Sequence, residues 1–254
     1  MSKLGVKIAE GYKGMVFDEG PHTYKVKDKF LTPVSTVIEE FAEEFDEELW
    51  AERVGRKEGK SKEEILLLWQ RINKQACDLG HDVHTYAEKY AYHLYYDKPK
   101  PYRYSHEVQK EAAEQFYAEL DNKYFPVALE LQMYHEGYGI AGTCDVLLYN
   151  EDTKKFVLAD WKTNADIYKN YQNKTLMPPF QYTLDNPNNH YQIQLSLYQI
   201  LLELKNWTVE ERWIMWLRPT GGYELHKTFD FTGILKPYLD DRRRSNRAST
   251  IVVQ

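Results

Sequence analysis

The sequence predicts a mixed α/β (α+β) protein, and three observations predict it. Val146-Leu147-Leu148-Tyr149 and Phe156-Val157-Leu158-Ala159 are short apolar runs joined by the polar stretch Asn150-Glu151-Asp152-Thr153-Lys154-Lys155, the pattern of a β-hairpin. Residues 105 to 123 repeat Val108, Ala112, Phe116 and Leu120 on one helical face. Residues 47 to 97 are also mostly helical by period. A chain of 254 residues suits one elaborated domain, or a domain with a helical annex.

Taken in order, residues 15 to 32 read as a small ribbon: Met15-Val16-Phe17-Asp18, then His22-Thr23-Tyr24-Lys25-Val26, a Lys27-Asp28-Lys29 turn, and Phe30-Leu31. Pro33-Val34-Ser35-Thr36 starts a helix running through Phe41, with Ser35 or Thr36 as its N-cap. The helical section 47 to 97 breaks around Val54 to Ser61, and Ser61-Lys62-Glu63-Glu64 matches a capping box. Pro99 and Pro101 end that section. Helix 105 to 123 comes next, then residues 126 to 133, which alternate weakly like a strand and carry Glu130. After the hairpin, residues 164 to 190 hold Pro178-Pro179, Asn186-Pro187 and Asn188-Asn189 with little period. They read as a long irregular loop: a clamp, a lid, or simply a connector. Strands return at 211 to 217 and 222 to 227 around Gly221-Gly222. A final helix runs from about Thr232 to Arg243, with Pro237 kinking it or delaying its start.

Composition narrows the function classes. No apolar run is long enough to span a bilayer, and Met1-Ser2-Lys3-Leu4-Gly5 has no apolar signal core, so a cytoplasmic protein is expected. Cys77 and Cys144 are the only cysteines and form no CxxC pair, which leaves a disulfide framework unsupported. The formal net charge of -6 runs against the basic face usual in proteins that grip nucleic acid, but net charge describes the whole surface and not a groove. The acid-rich stretch 39 to 48 is expected to form a solvated face away from substrate. Arg53, Arg56, Lys57, Lys60 and Lys62 form one basic group, and Arg242-Arg243-Arg244 with Arg247 another, either touching a phosphate backbone or serving as a soluble C-terminus. Some of the 21 tyrosines have the character to stack on unpaired bases, while most such rings pack at half-buried positions.

The chemistry concentrates on the hairpin. Gly142-Thr143-Cys144-Asp145 precedes its first apolar run, and Asp160-Trp161-Lys162 follows its second. If the strands pair about their turn, Asp145 and Asp160 lie at the same end of adjacent strands. Asp160 and Lys162 are two apart and share a face. Two carboxylates and an ammonium then converge. Paired carboxylates suit magnesium or manganese. Such an ion polarises a phosphodiester and lowers the pKa of bound water. A neighbouring lysine orients the water or stabilises developing charge. The Trp161 carbonyl is a further candidate ligand, while the Trp161 side chain faces the other way, toward the core. D-x-K alone is common, and by itself fits a surface salt bridge equally well.

Other segments add to the hairpin. Gly80-His81-Asp82-Val83-His84 opens a run ending in Glu88, and Tyr191-Gln192-Ile193-Gln194-Leu195-Ser196-Leu197-Tyr198 lies downstream. The order G-x-x-x-H, strand acid, G-T-x-D, D-x-K-T, Q-L-x-x-Y resembles the RecB-type branch of the PD-(D/E)XK nuclease superfamily over roughly residues 80 to 200. The resemblance implies a central mixed β-sheet flanked by helices, a restriction-endonuclease-like core with an N-terminal helical insertion. It also implies that Asp145 and Asp160 hold the metal, that Lys162 is the catalytic lysine, and that His84 is an additional ligand. Gln194 and Tyr198 would contact DNA; being four apart, they share a helical face. Thr163 matches the family as well, capping or bracing the loop beside the substrate. Glu130 is either a third acid at the metal or half of a surface pair. His81 and His84, three apart, raise zinc as an alternative, although no further Cys or His cluster supports it. Some relatives carry a four-cysteine iron–sulfur cluster, which two cysteines cannot supply.

The expectation is one nuclease domain over 1–254: N-terminal hairpin and helix (1–45), helical arch (46–123), catalytic core (124–230), and C-terminal helix and tail (231–254). Its function is metal-dependent hydrolysis of DNA, more as an exonuclease than a restriction enzyme, in recombination, repair or phage DNA processing. DNA ends or single strands are the expected partner, with a recombination or replication protein as a further one, in a bacterial or phage-infected cell. The rival is the same fold with its chemistry lost, serving as a nucleic-acid-binding or protein-interaction module.

Overall fold

The computed structural model describes residues 1–18 and 20–251, with side chains through residue 245. Among the described residues, eight strands form one mixed sheet and seven helices flank it. The long strand β5 (Ile140–Asn150) organises the sheet. One edge of β5 pairs antiparallel with β4 (Tyr124–His135) along almost its whole length. Its other edge is shared. β3 (Lys29–Pro33) runs parallel to it at Ile140 and Ala141, and β6 (Lys155–Lys162) runs antiparallel to it from Val146 to Asn150. β7 (Val209–Leu217) extends the sheet parallel to β6, and β8 (Tyr223–Lys227) closes that side. β1 (Met15–Asp18) and β2 (Thr23–Val26) complete a three-stranded ribbon with β3.

Each face of the sheet is covered. On one, Cys144, Leu147, Phe156 and Leu158 pack against α1 (Lys3–Glu10), α2 (Val34–Glu39), α6 (Pro187–Glu203) and α7 (Thr232–Ile251). On the other, Val146, Leu148, Val157, Ala159 and Trp161 pack against the second half of α4 (Lys62–Tyr96) and against α5 (Glu107–Glu119). Strand residues alternate faces, so Trp161 enters the α4/α5 layer, as its position between Asp160 and Lys162 predicted, and stacks edge-on with Phe116 at 5.1 Å. Burial on both sides explains why the hairpin reads as continuous apolar runs rather than alternating ones.

Several sequence expectations change. α1 escaped detection because eight residues carry too few periods to stand out; Gly5 lets it sit against β4, where a Cβ would lie 1.9 Å from the Val127 carbonyl oxygen. The N-cap of α2 is Pro33, with no side-chain cap from Ser35 or Thr36, because strand β3 runs straight into the helix. The helical break narrows to Gly59-Lys60-Ser61 between α3 (Glu47–Glu58) and α4: Gly59 takes a left-handed cap, and Ser61 and Glu64 form both bonds of the capping box. Val108 is exposed on α5, so only Ala112 and Phe116 of the expected stripe are fully inside. α7 starts at Thr232 and carries Pro237 within it, running past Arg243 to Ile251.

The 164 to 190 segment is a packed connector. Ile167, Leu176 and Phe180 are buried, the last two in the α6 layer, and the Met177 amide donates to the Phe41 carbonyl at 2.6 Å. α6 begins inside the expected loop, at Pro187, because Asn186 caps it by accepting from the Asn189 amide and Pro187 suits the first turn. The charged groups also find internal partners. Arg242 pairs with Glu40 at 3.0 Å, Arg243 with Asp240, and Lys174 with Glu43, so the acid-rich stretch is partly a docking rail for basic side chains rather than a separate solvated face. Lys60 pairs with Glu58, and Lys62 and Arg56 with Glu48 and Glu52. Arg247 lies outside the residues whose side chains are described.

Candidate metal and catalytic site

The site forms where β5 and β6 part. Their last paired residues are Val146 and Ala159. Beyond them β6 continues alongside β7, while β5 continues alongside β4 and β3. The separation leaves β6 amides facing a gap, and the Asp145 carboxylate fills it by accepting from the Trp161 amide at 2.8 Å. Buried backbone donors require partners, and here an acid supplies one. Cys144 and Leu147, three apart, both face the α6 layer, so strand alternation slips across Asp145.

A matching irregularity lies opposite. Leu129 pairs with Val146 and Leu131 with Cys144, leaving Glu130 and Asp145 as the unpaired step between them. Glu130 has φ of 48°, the left-handed region, inside a strand. Leu129 and Leu131 consequently face opposite layers although they are two apart. Such strain costs of the order of 1–3 kcal/mol for a non-glycine residue and concentrates at functional sites. Its effect here is to turn the Glu130 carboxylate toward Asp145.

Among the described residues, His84, Glu130 and Asp145 gather ligand atoms that all lie within 4.8 Å of one another. His84 Nδ1 stands 3.3 Å from Asp145 Oδ2. Asp160 and Lys162 project from the same face of β6 and form a buried ion pair. Asp160 lines the same cavity but does not belong to the tight His84–Glu130–Asp145 group. Its carboxylate turns toward Lys162, and its Oδ2 receives no well-directed hydrogen bond. The Lys162 ammonium lies 4.3 Å from the centre of the Tyr191 ring. Tyr191 donates in turn to Asn164 Oδ1 at 2.6 Å.

Burial and mutual charge set the protonation of this cluster. Burial drives the Asp160 carboxyl up and the Asp145 charge adds to it; against Lys162, the outcome is about 6. Burial and Asp145 likewise raise Glu130 to about 8. Burial would raise Asp145 too, but His84, Lys162 and the Trp161 amide outweigh it and hold the carboxyl low. For His84, burial favours the neutral ring, yet Asp145 overrides it and lifts the imidazole to about 9. Lys162 keeps its proton: burial opposes the charge, and Asp160 and Asp145 more than compensate. Three acids crowded together, two of them pushed toward their neutral forms, suit a divalent cation, whose charge reverses that penalty.

The cavity over this cluster measures about 560 Å³. Gln194 and Tyr198 enter it from α6, where the Gln194 side-chain amide donates to the Tyr198 hydroxyl at 2.9 Å. Gly142 is required by this contact, since a Cβ there would lie 2.6 Å from Tyr198 Cε1. Thr143 bonds the Tyr24 hydroxyl at 3.0 Å. Thr163 is not part of the lining; it follows β6 directly, and its Oγ1 sits 3.7 Å from where a Cβ on Gly80 of α4 would be. The Trp161 carbonyl is likewise outside the lining, and Trp161 meets Asp145 through its amide. His81 lines the cavity without joining the His84 cluster, so a two-histidine zinc pair is not what gathers here.

Sequence reading missed Glu88, Tyr191 and Tyr24. Glu88 lines the cavity one helical turn from His84. Tyr191 is three residues before Gln194 on the same face, which was a readable signal. Tyr24 comes from the N-terminal ribbon, and nothing local ties it to Thr143.

No family model matches the chain, and no curated protein does. Among solved structures it is similar to SSO0001, known from a crystal structure, at 13% identity and a TM-score of 0.38, over 99% of this chain and 84% of that one. The architecture is a mixed α/β sheet flanked by helices, with an acid–histidine–lysine centre at its split hairpin.

Proposed function

We propose that the protein is a magnesium- or manganese-dependent deoxyribonuclease of the RecB-like PD-(D/E)XK type. The observation that carries this reading is the buried convergence of His84, Glu130 and Asp145 beside the Asp160–Lys162 pair in one cavity. Oxygen-rich donors with one imidazole fit a hard divalent cation better than a soft one. The incompletely satisfied Asp160 Oδ2 offers it a further ligand. An ion held there supplies Lewis acidity toward a phosphodiester and a more acidic water.

The chain's own residues do the rest. Asp145 stays ionised and is fixed in direction by the Trp161 amide. Lys162 stays protonated against Asp160 and Tyr191, placing a positive charge where the phosphoryl oxygens gain negative charge. Gln194 and Tyr198 orient the strand. Exonucleolytic action on linear DNA, in recombination, repair or phage DNA metabolism, and a bacterial or phage-infected cytoplasm belong to the same proposal. No helix among the described residues is long and apolar enough to cross a membrane.

The test is cleavage of linear and closed circular DNA, and of RNA, with magnesium, manganese or chelator. Linear DNA should be degraded only with a divalent ion, and Asp145→Ala, Asp160→Ala and Lys162→Ala should each lower the rate by at least 100-fold while melting stays cooperative. Binding without cleavage under every metal would replace the enzyme with a nucleic-acid-binding module.

A further inference from the structure

The cavity has a wall that the acid cluster does not use. Phe17, His22 and Tyr24, all from the β1–β2 hairpin, line the same cavity as Glu130, Asp145 and Asp160. Tyr24 is fully buried and tied to Thr143, two residues before Asp145. Phe17, its direct cross-strand partner, stacks on it at 4.7 Å with planes 25° apart. His22 meets Phe17 edge-on at 5.1 Å and Tyr24 at 5.7 Å. Phe17 is only half buried and His22 is exposed, so the outer ring surfaces face the cavity. His22 is held there by a left-handed φ of 52°. A cross-strand aromatic pair alone would stabilise the ribbon; it would not need a hydroxyl bond to the strand that carries Asp145.

We propose that Phe17, backed by Tyr24 and flanked by His22, is a stacking platform for an unpaired nucleobase next to the phosphate over Asp145. This rests on the nuclease reading and adds its substrate form: a single-stranded segment. Aromatic faces bind every base without reading its edge, so the platform is sequence-tolerant. Another wall is α4, through Cys77, His81 and Thr85. A space of about 560 Å³ between the two walls is of the size that holds a small-molecule ligand, room for a nucleotide or two and too little for a duplex. The net negative charge of the chain fits this arrangement, because stacking holds the strand without a broad basic surface.

The experiment has two arms on the full chain. In the first, calcium replaces magnesium, and a single-stranded oligonucleotide carries the fluorescent base 2-aminopurine. Wild type should quench it on binding; Phe17→Leu, which keeps apolar packing and removes the ring, should weaken binding about tenfold and abolish the quench, and His22→Ala should lower it partly. In the second arm, magnesium-dependent cleavage is compared on intact single strands and on strands with one abasic site near the cut. Phe17→Leu should raise KM about tenfold with kcat nearly unchanged, and the abasic site should cost wild type the same factor and the variant nothing more. Equal quenching in wild type and Phe17→Leu, or independent effects of variant and abasic site, overturns the platform while leaving the nuclease reading intact. Quenching through Phe17 without cleavage keeps the platform and removes the nuclease. No oligonucleotide binding at all overturns both.

Discussion

Gly142→Ala tests how tightly the cavity is built, independently of any activity. The new methyl would stand 2.6 Å from Tyr198 Cε1 and 3.3 Å from Val34 Cγ2. Neither neighbour retreats easily: Tyr198 is 4% exposed and Val34 1%. The strand backbone itself accepts alanine. Forcing a methyl into a filled core costs about 1–3 kcal/mol. If Tyr198 shifts, its bond from Gln194 weakens, adding about 0.5–1.5 kcal/mol. The combined loss of about 2–4 kcal/mol corresponds to a fall in Tm of very roughly 5–15 °C for a domain of this size. Urea unfolding and thermal melting measure both. In a Tyr198→Ala background the same glycine substitution should cost at least about 1 kcal/mol less than in wild type, because the closer clash partner is gone and only the 3.3 Å approach to Val34 remains. If Gly142→Ala is neutral in wild type, or equally harmful without the Tyr198 ring, the close approach is not what demands glycine.

Three further outcomes follow from the charges and caps. Glu130, raised to about 8, and His84, raised to about 9, both hold protons in the folded chain that the unfolded chain releases earlier. The unfolded state therefore binds fewer protons between about pH 4.5 and 9, and the metal-free protein should lose stability as pH rises through that window. Glu130→Gln should flatten the decline and raise the Tm at pH 8, and an unchanged slope in thermal melts would refute it. Manganese affinity should climb over the same window as its ligands lose protons, measured by calorimetry at pH 6, 7 and 8.5. Ser61→Ala removes the α4 cap and should cost about 1 kcal/mol, visible as faster amide exchange in the first turn of that helix.

Local pattern determined much of this protein. The hairpin, its polar turn and the shared face of Asp160 and Lys162 follow from a period of two, and the pairing of Val146 with Ala159 places Asp145 where that reasoning put it. The capping box at Ser61 and the turn at Gly221-Gly222 were legible because caps and turns depend on neighbours in sequence. Only the tertiary structure decided the rest. Glu130 was ambiguous because its role depends on a left-handed backbone turn inside a strand, which no propensity foretells. The 164 to 190 segment became a packed connector because Leu176 and Phe180 found a core far away in sequence. Tyr24 and Phe17 reached the acids because a ribbon near the N-terminus pairs with β5 over a hundred residues later. Sequence periodicity reports which face of an element is apolar; which distant element covers that face, and which side chains then meet, is settled by burial of the whole chain at once.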